Sequence, residues 1–499
     1  MTKLYWQLPW AGPMRGDSAQ PDWSVMPSPG MGNAMAVCIP VTVAPGGGRS
    51  AVTLAVTERG KPIPLVAAPI GVWTQVVGDP GVGNGFLCLL GYDQPEGGIG
   101  EYFVVTSGTD VDPADVDAAL LKLDQQLDGT LADKVLRLAR RPASALAPAG
   151  IGAGPPPASL TLAFASCQYP SGLMDGIPAE ASLQRLADLL ADAGQRHPER
   201  LLLLGDQIYA DATAGLLDPI RLDDRYRVPY EELFRMEPFR RITQVIPTSW
   251  MLDDHEIVDN WEPDRRDSRA DLLQRGLAAY WTYQRKTAPQ SDSWFSLDGD
   301  GWHLFMADTR TKRELRCEAT LASASLLGDR QAQALEDWLL QSPAQDLKLV
   351  ASASMLLPRL VHHLEEPLYL DSWQGYPASL HRLLAFLCDN GIANVCFLSG
   401  DAHLGCDVGI AVRSPGRSVT TRSIHTPALY APLPFANERP WNLKLPQDVF
   451  LFPDPHNGPY TCEVNGSADV PVRDGCTLLE ADRSGAAWTL NARRVGPLS

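Results

Sequence analysis

The sequence predicts an α/β protein with helices on both sides of a sheet, preceded by a smaller β-rich region. Three observations carry this reading. Continuous apolar runs such as "RLLLLGD" (200–206) are what a parallel strand covered on both faces requires. From residue 160 onward such runs alternate with segments of helical periodicity, which places helices against a sheet. Residues 1–140, by contrast, consist of short β-branched or aromatic runs divided by Gly and Pro clusters.

In chain order, the β-rich region holds "AMAVCIPVTV", "AVTLAVTE", "GVWTQVV" and "GEYFVVTSG". Residues 141–159 then break every periodicity with Pro, Gly and Ala, the composition of a linker. The remainder, 160–499, begins with the strand "SLTLAFASC". A helix follows over 178–194, with Leu183, Leu186, Leu189 and Leu190 at helical spacing and Gly194 closing it. Further strands are expected at "IPTSWMLDD", "GWHLFMADTR", "LKLVASAS" and "NVCFLSGD", and helices at "GDRQAQALEDWLLQS" and "PASLHRLLAFLCDNG". Residues 212–245 read as a loop, and "PYTCEVNG" and "AAWTLNARRV" suggest a β-rich end to the domain.

Composition narrows the function. At 499 residues the chain exceeds one ordinary core, so two or three domains are expected. A formal charge of −17, from 59 acidic against 42 basic residues, argues against duplex nucleic acid, whose phosphates a binder must neutralise. A small charged substrate or bound cations remain compatible. Nine cysteines without a CxxC pair read as mainly reduced thiols. The first residues lack a leader pattern and no stretch approaches the ~18 apolar residues of a membrane span. The expectation is therefore a cytoplasmic protein without membrane partners, or a periplasmic one if a leader was removed; the sequence does not set the oligomeric state.

Five apolar runs end in reactive residues: Ser166 and Cys167; Gly205, Asp206 and Tyr209; Asp253, Asp254 and His255; Asp308 and Arg310; Gly400, Asp401 and His403. Ligands of open α/β sheets bind outside the carboxyl ends of strands, so these residues are expected at one site. Crowded carboxylates are costly to bury unless a cation lies between them. Oxygen donors with a few nitrogen and sulfur ones suit two cations, and two ions ~3.5–4 Å apart can serve an in-line phosphoryl displacement. Asp206, just after a glycine, is the candidate bridge, and Tyr209 can bind as phenolate. Taken singly each piece has a plainer reading: Cys167 as a buried apolar residue, Asp253–Asp254 as a helix cap, Asp308–Arg310 as an ion pair. Five coincident strand ends favour one site.

With "FASCQ", "GDQIYAD", "DDHEIVDN", "ADTR" and "SGDAH" in this order, residues 160–405 resemble the alkaline phosphatase D-like branch of the calcineurin-like metallophosphoesterases. The resemblance implies a four-layered α/β/β/α sandwich, often preceded by a small β-sandwich. It also implies phosphomonoesterase or phosphodiesterase activity on a small-molecule phosphate ester, and two or more metal ions, iron with calcium, or manganese or zinc. By position, Cys167, Asp206, Tyr209 and His403 would hold the first metal, and Asp206, Asp254 and Asp401 the second. His255 would protonate the leaving oxygen after attack by a metal-bound hydroxide, with Asp253 orienting it or a ligand. Arg310 would clamp a phosphate oxygen or pair with a carboxylate, and Asn260 would lend outer support. Ser166–Cys167 replaces the superfamily's usual Asp-x-His, and Asp401 its penultimate histidine; both changes favour an oxygen-rich second metal. No motif selects His362 or His363 as the missing histidine ligand. Two other classes stay open: a metal-stabilised binding protein without turnover, and a hydrolase with Cys167 as nucleophile.

Overall fold

The computed structural model describes nine strands within the first 158 residues, and from Ser159 onward all residues except 171–175, 193, 213–221, 244–245, 264–269, 286–291, 362–369, 433–437, 454–458 and 498–499. The chain divides into two compact units, Met1–Gly150 with Phe239–Thr248, and Ile151–Pro238 with Ser249–Ser499. The linker expected at 141–159 lies outside the described residues except for Ser159, which begins β10.

In the first unit, β1 (Trp10–Ala11), β2 (Trp23–Met26), β3 (Ile39–Val43) and β4 (Val52–Leu54) form an antiparallel sheet in sequence order. β5 (Val56–Glu58) pairs with β6 (Lys61–Ile63), and β7 (Val72–Gly78), β8 (Phe86–Tyr92) and β9 (Tyr102–Ser107) form a third antiparallel sheet. The β-branched and aromatic runs read from the sequence fall in these strands.

Two sheets build the second unit. One has the order β12 (Thr248–Met251), β11 (Arg200–Leu204), β10 (Ser159–Gln168), β22 (Cys476–Ser484), β23 (Ala487–Val495), with β19 (Ala428–Tyr430) also paired to β10. β10 and β11 are parallel, Phe164 opposite Leu202, whereas β22 runs antiparallel along β10, Leu162 opposite Leu479. The other sheet has the order β13 (Phe295–Asp298), β14 (Trp302–Met306), β15 (Leu347–Ser352), β16 (Val395–Ser399), β18 (Arg417–His425), β17 (Cys406–Ser414), β21 (Tyr460–Ala468), β20 (Gln447–Phe452). Four adjacent strands, β14, β15, β16 and β18, are parallel.

A single core joins the sheets: Leu162, Phe164, Leu202 and Leu204 of one pack with Leu304, Leu349, Cys396 and Leu398 of the other. Each fully buried Leu or Phe there contributes about 1.5–3 kcal/mol. Helices cover the outer faces. α1 (Gly176–Ala191) rests on β19 and β23. α5 (Gly328–Gln341) and α6 (Pro377–Asn390) bury Leu335, Leu339, Leu380, Leu384 and Leu387 in the second core cluster, with Phe305, Val350 and Phe397 of the larger sheet. α1 ends three residues before Gly194, and its Leu190 is only half-buried.

One expectation is corrected. The segment 212–245 is not all loop: it contains α2 (Leu222–Arg235) and α3 (Glu237–Thr243), and Pro229 inside α2 is what disguised it. α4 (Ala270–Tyr283) also went unread. Among the described residues no helix is long and apolar enough to cross a membrane, and none of the seven described cysteines is in a disulfide.

Candidate metal centre

The five reactive stretches do lie at the carboxyl ends of strands: Cys167 is the penultimate residue of β10, and the loops after β11, β12, β14 and β16 carry Asp206, Asp253 to His255, Asp308 to Arg310, and Asp401 to His403. Three of the five exits, after β10, β11 and β16, turn sharply in the backbone. Cys167, Asp206, Asp401 and His403 have φ of 56°, 56°, 79° and 54°, in the left-handed region that side chains avoid. Such strain costs on the order of 1–3 kcal/mol per residue and persists where surroundings over-determine it, typically at functional sites. Gly205, at φ 95°, has no alternative residue: an added Cβ would lie 2.5 Å from Cβ of Asp253. The loops after β11 and β12 are therefore in direct contact.

Asp206 stands at the centre. Carboxylate oxygens of Asp206, Asp253, Asp254 and Asp401 lie within 4.8 Å of one another, as do ligand atoms of Asp206, Asp254 and His255. Sγ of Cys167 is 3.4 Å from Oδ2 of Asp206 and 3.9 Å from the Asp401 carbonyl oxygen. Tyr209 Oη is 3.2 Å from Nε2 of His403, and its ring lies 4.0 Å from that of His255, centroid to centroid. Nδ1 of His255 is 2.7 Å from Oδ1 of Asp211, whose other oxygen accepts the N–H of Asp259. That pairing puts the proton on Nδ1 and leaves Nε2, 3.8 Å from Asp259, for chemistry.

The electrostatics of the cluster follow from its burial and its crowding of acidic groups. Burial, then the charge of Asp254, pushes Asp206 well above the usual carboxylate range. Burial followed by Asp253 does the same to Asp401. Burial with neighbouring anions raises the Cys167 thiol and the Tyr209 phenol. Asp254 is held down, to about 2, because Arg310 and His255 outweigh its burial. The surrounding carboxylates likewise outweigh burial at His255 and raise its pKa. A bound cation would reverse the upward shifts, since it favours each ligand's charged form. Oδ2 of Asp253 is buried without a hydrogen-bond partner, a further acceptor in want of positive charge. The donor set of carboxylates, phenol, thiol and imidazole thus fits metal binding.

Some expectations change. Arg310 is fully buried, and its guanidinium is occupied: 2.6 Å to Asp253, 3.5 Å to Asp254, 2.7 Å to Asp371 and 3.2 Å to the Trp261 carbonyl. Of its two expected roles, the geometry gives it the ion pair, because no N–H remains directed at a ligand. Asp308 does not pair with it; its carboxylate accepts the backbone N–H of Arg310 and Thr311. Asp253 lies inside the carboxylate cluster, against Arg310. Asn260 contributes through its main chain, donating its N–H to Asp254. His362 and His363 lie outside the described residues. Two residues were overlooked although the motifs contained them: Asp211, last in "GDQIYAD", and Glu256, last in "DDHE". Asp371 had no sequence signal.

All of these ligand candidates fall within one matched region. A sequence model of the family PhoD-like phosphatase matches residues 162–431, more than half of the chain. The chain belongs to the PhoD-like phosphatase family. Alkaline phosphatase D of Bacillus subtilis (strain 168) is 25% identical over 279 residues, 49% of this chain and 46% of that protein. The PhoD-like chain thus spans about half the length of the curated relative it matches. The solved structure of PhoD superposes with a TM-score of 0.54 at 15% identity, covering 98% of this chain and 92% of the other, and shares its mixed α/β fold. The structure of purple acid phosphatase PPD1 from yellow lupin (Lupinus luteus) seeds aligns at a TM-score of 0.46 and 11% identity, over 98% and 72% of the two chains.

Proposed function

We propose that this PhoD-like chain is a metal-dependent hydrolase of small-molecule phosphate mono- or diesters. The observation that carries the reading is the four-carboxylate cluster centred on Asp206, its Asp206, Asp253 and Asp254 buried and Asp401 partly so, with Cys167, Tyr209, His255 and His403 at its edge. Cys167, Asp206, Tyr209 and His403 would hold one cation, and Asp206, Asp254 and Asp401 a second; iron and calcium suit the two donor sets, with manganese or zinc as alternatives. When bound, such ions neutralise phosphoryl charge and make water a better nucleophile near neutral pH. The protein's own part is positional. Asp211 fixes the tautomer of His255, whose Nε2 then delivers a proton to the departing alcohol oxygen. Arg310 acts as a counter-ion that lets Asp253 and Asp254 share one buried corner.

A four-layered α/β/β/α sandwich is supported by the core between the two sheets and the helices outside them, and a separate β-rich N-terminal domain by the division at Gly150. The free thiols are in keeping with a reducing, cytoplasmic compartment.

The test is an assay of metal-reconstituted full-length protein on aryl phosphate mono- and diesters. Turnover is expected to fall 10²–10⁴-fold in His255→Asn with metal content retained. Absence of turnover above background with iron, calcium, manganese and zinc overturns the reading and leaves the binding-protein alternative. A visible charge-transfer band, lost in Tyr209→Phe, would place the phenolate on ferric iron; iodoacetamide-resistant activity excludes Cys167 as nucleophile.

A further inference from the structure

Glu256 plays no part in the chemistry above, yet it is fully buried one residue beyond His255. Its Oε2 accepts the backbone N–H groups of Asp206, at 3.0 Å, and Asp253, at 2.8 Å. Its Oε1 accepts the N–H of Gln207, at 2.8 Å, and Nε2 of Gln284, at 3.2 Å. Four donors therefore converge on one side chain, and three of them are main-chain amides from the two loops that carry Asp206 and Asp254.

We infer that Glu256 is a positioning residue, a brace whose carboxylate sets the separation of the loops after β11 and β12 and so the bite between Asp206 and Asp254. The inference rests on the reading of those loops as metal carriers. Asp206 sits in the left-handed region, at φ 56°, where its peptide must be fixed from outside. Glu256 does this by accepting the N–H groups of Asp206 and Gln207, while Oε2, which takes the Asp206 N–H, also accepts that of Asp253. Contact between Gly205 and Cβ of Asp253 leaves the loops no slack.

Residue chemistry explains why an acid stands here, in a region already crowded with carboxylates. Two oxygens with four lone-pair sites are needed to take donors on both sides. Glutamine, nearly the same shape and uncharged, would relieve the repulsion but would turn an NH₂ group towards two donors. Aspartate would keep both oxygens and withdraw them by one methylene. The turn itself is seated against α4, since a Cβ on Gly276 would come within 2.6 Å of the Glu256 carbonyl oxygen.

The test uses full-length protein, wild type, Glu256→Gln and Gln284→Met, the last removing only the side-chain donor. Metal-free amide hydrogen exchange is followed in peptides covering 204–209 and 251–258, with 395–399 of β16 as reference. Mn²⁺ titration gives the dissociation constant. In Glu256→Gln both loops are expected to exchange at least about tenfold faster with β16 unchanged, and Mn²⁺ to bind about 10–100-fold more weakly, the usual effect of losing an outer-shell support. Gln284→Met is expected to change each quantity less than threefold. Wild-type exchange in both loops, faster exchange throughout the unit, or loosened loops with unchanged Mn²⁺ affinity would each overturn the brace. If Glu256→Gln does not fold, Glu256→Asp is read by the same criteria. Should wild type bind no Mn²⁺, the metal reading fails, and the exchange measurement still decides whether Glu256 couples the loops.

Discussion

Replacing Arg310 with methionine removes a guanidinium that Asp253, Asp254 and Asp371 share, while leaving a side chain of similar length. Arg310 is fully buried, with pairs at 2.6 and 3.5 Å to Asp253 and Asp254, which are themselves almost wholly buried. Asp371 retains Arg313 after the change, so the loss falls on the other two. Removing one partner of a buried pair strands the other charge, which typically costs about 3–5 kcal/mol and far exceeds the ~1 kcal/mol of a surface pair. Arg310→Met is therefore expected to lose about 3–5 kcal/mol in the metal-free state. At ~2 °C per kcal/mol, the lower end of the range for large domains, the midpoint should fall by about 6–10 °C. Urea and thermal unfolding in chelator measure this, and added Mn²⁺ should recover part of the loss by replacing the missing positive charge. The double variant with Asp253→Asn should be less destabilised than the sum of the two singles by at least ~1 kcal/mol, because the stranded carboxylate is gone. A loss below ~1 kcal/mol, or strict additivity, would refute the counter-ion account.

Asp211→Asn should lower kcat about 10–100-fold with metal content unchanged, because the amide no longer fixes the proton on Nδ1 of His255; steady-state kinetics with metal analysis check it. Gly205→Ala should destabilise by at least ~2 kcal/mol, since it combines φ 95° with a Cβ 2.5 Å from that of Asp253, and thermal unfolding reads the effect. Acid is expected to destabilise the fold through His425. His425 is 1% exposed and donates Nδ1–H to the Leu404 carbonyl at 2.6 Å. Burial lowers its pKa to about 4, whereas the unfolded chain binds the proton near 6.5. Its contribution is thus complete above about pH 6.5 and lost as pH falls towards 4, a span worth about 3 kcal/mol at 1.36 kcal/mol per unit. His425→Gln should flatten the stability profile in that window, as urea unfolding at several pH values would show.

The alternation of strands and helices after residue 160 is legible locally, because apolar runs such as "RLLLLGD" and the leucine spacing of α1 reflect local burial on fixed periods. The sequence also determined which residues stand at strand ends, since glycine–aspartate steps such as Gly205–Asp206 and Gly400–Asp401 break a run by their own backbone preferences. α2 stayed hidden because Pro229 contradicts a helical pattern locally and tertiary packing overrides it. Only the tertiary structure decided that β22 returns from the end of the chain to lie antiparallel beside β10. It alone showed that Asp371, more than a hundred residues from Asp253, completes the charge around Arg310. It also committed the Arg310 guanidinium to Asp253, Asp254 and Asp371 and drew Asp253 into the carboxylate cluster. The physical reason is the same in each case: periodicity and backbone preference act between neighbours in the chain. Charge compensation and hydrogen-bond satisfaction act between neighbours in space, and no local pattern records which distant residue will supply the partner.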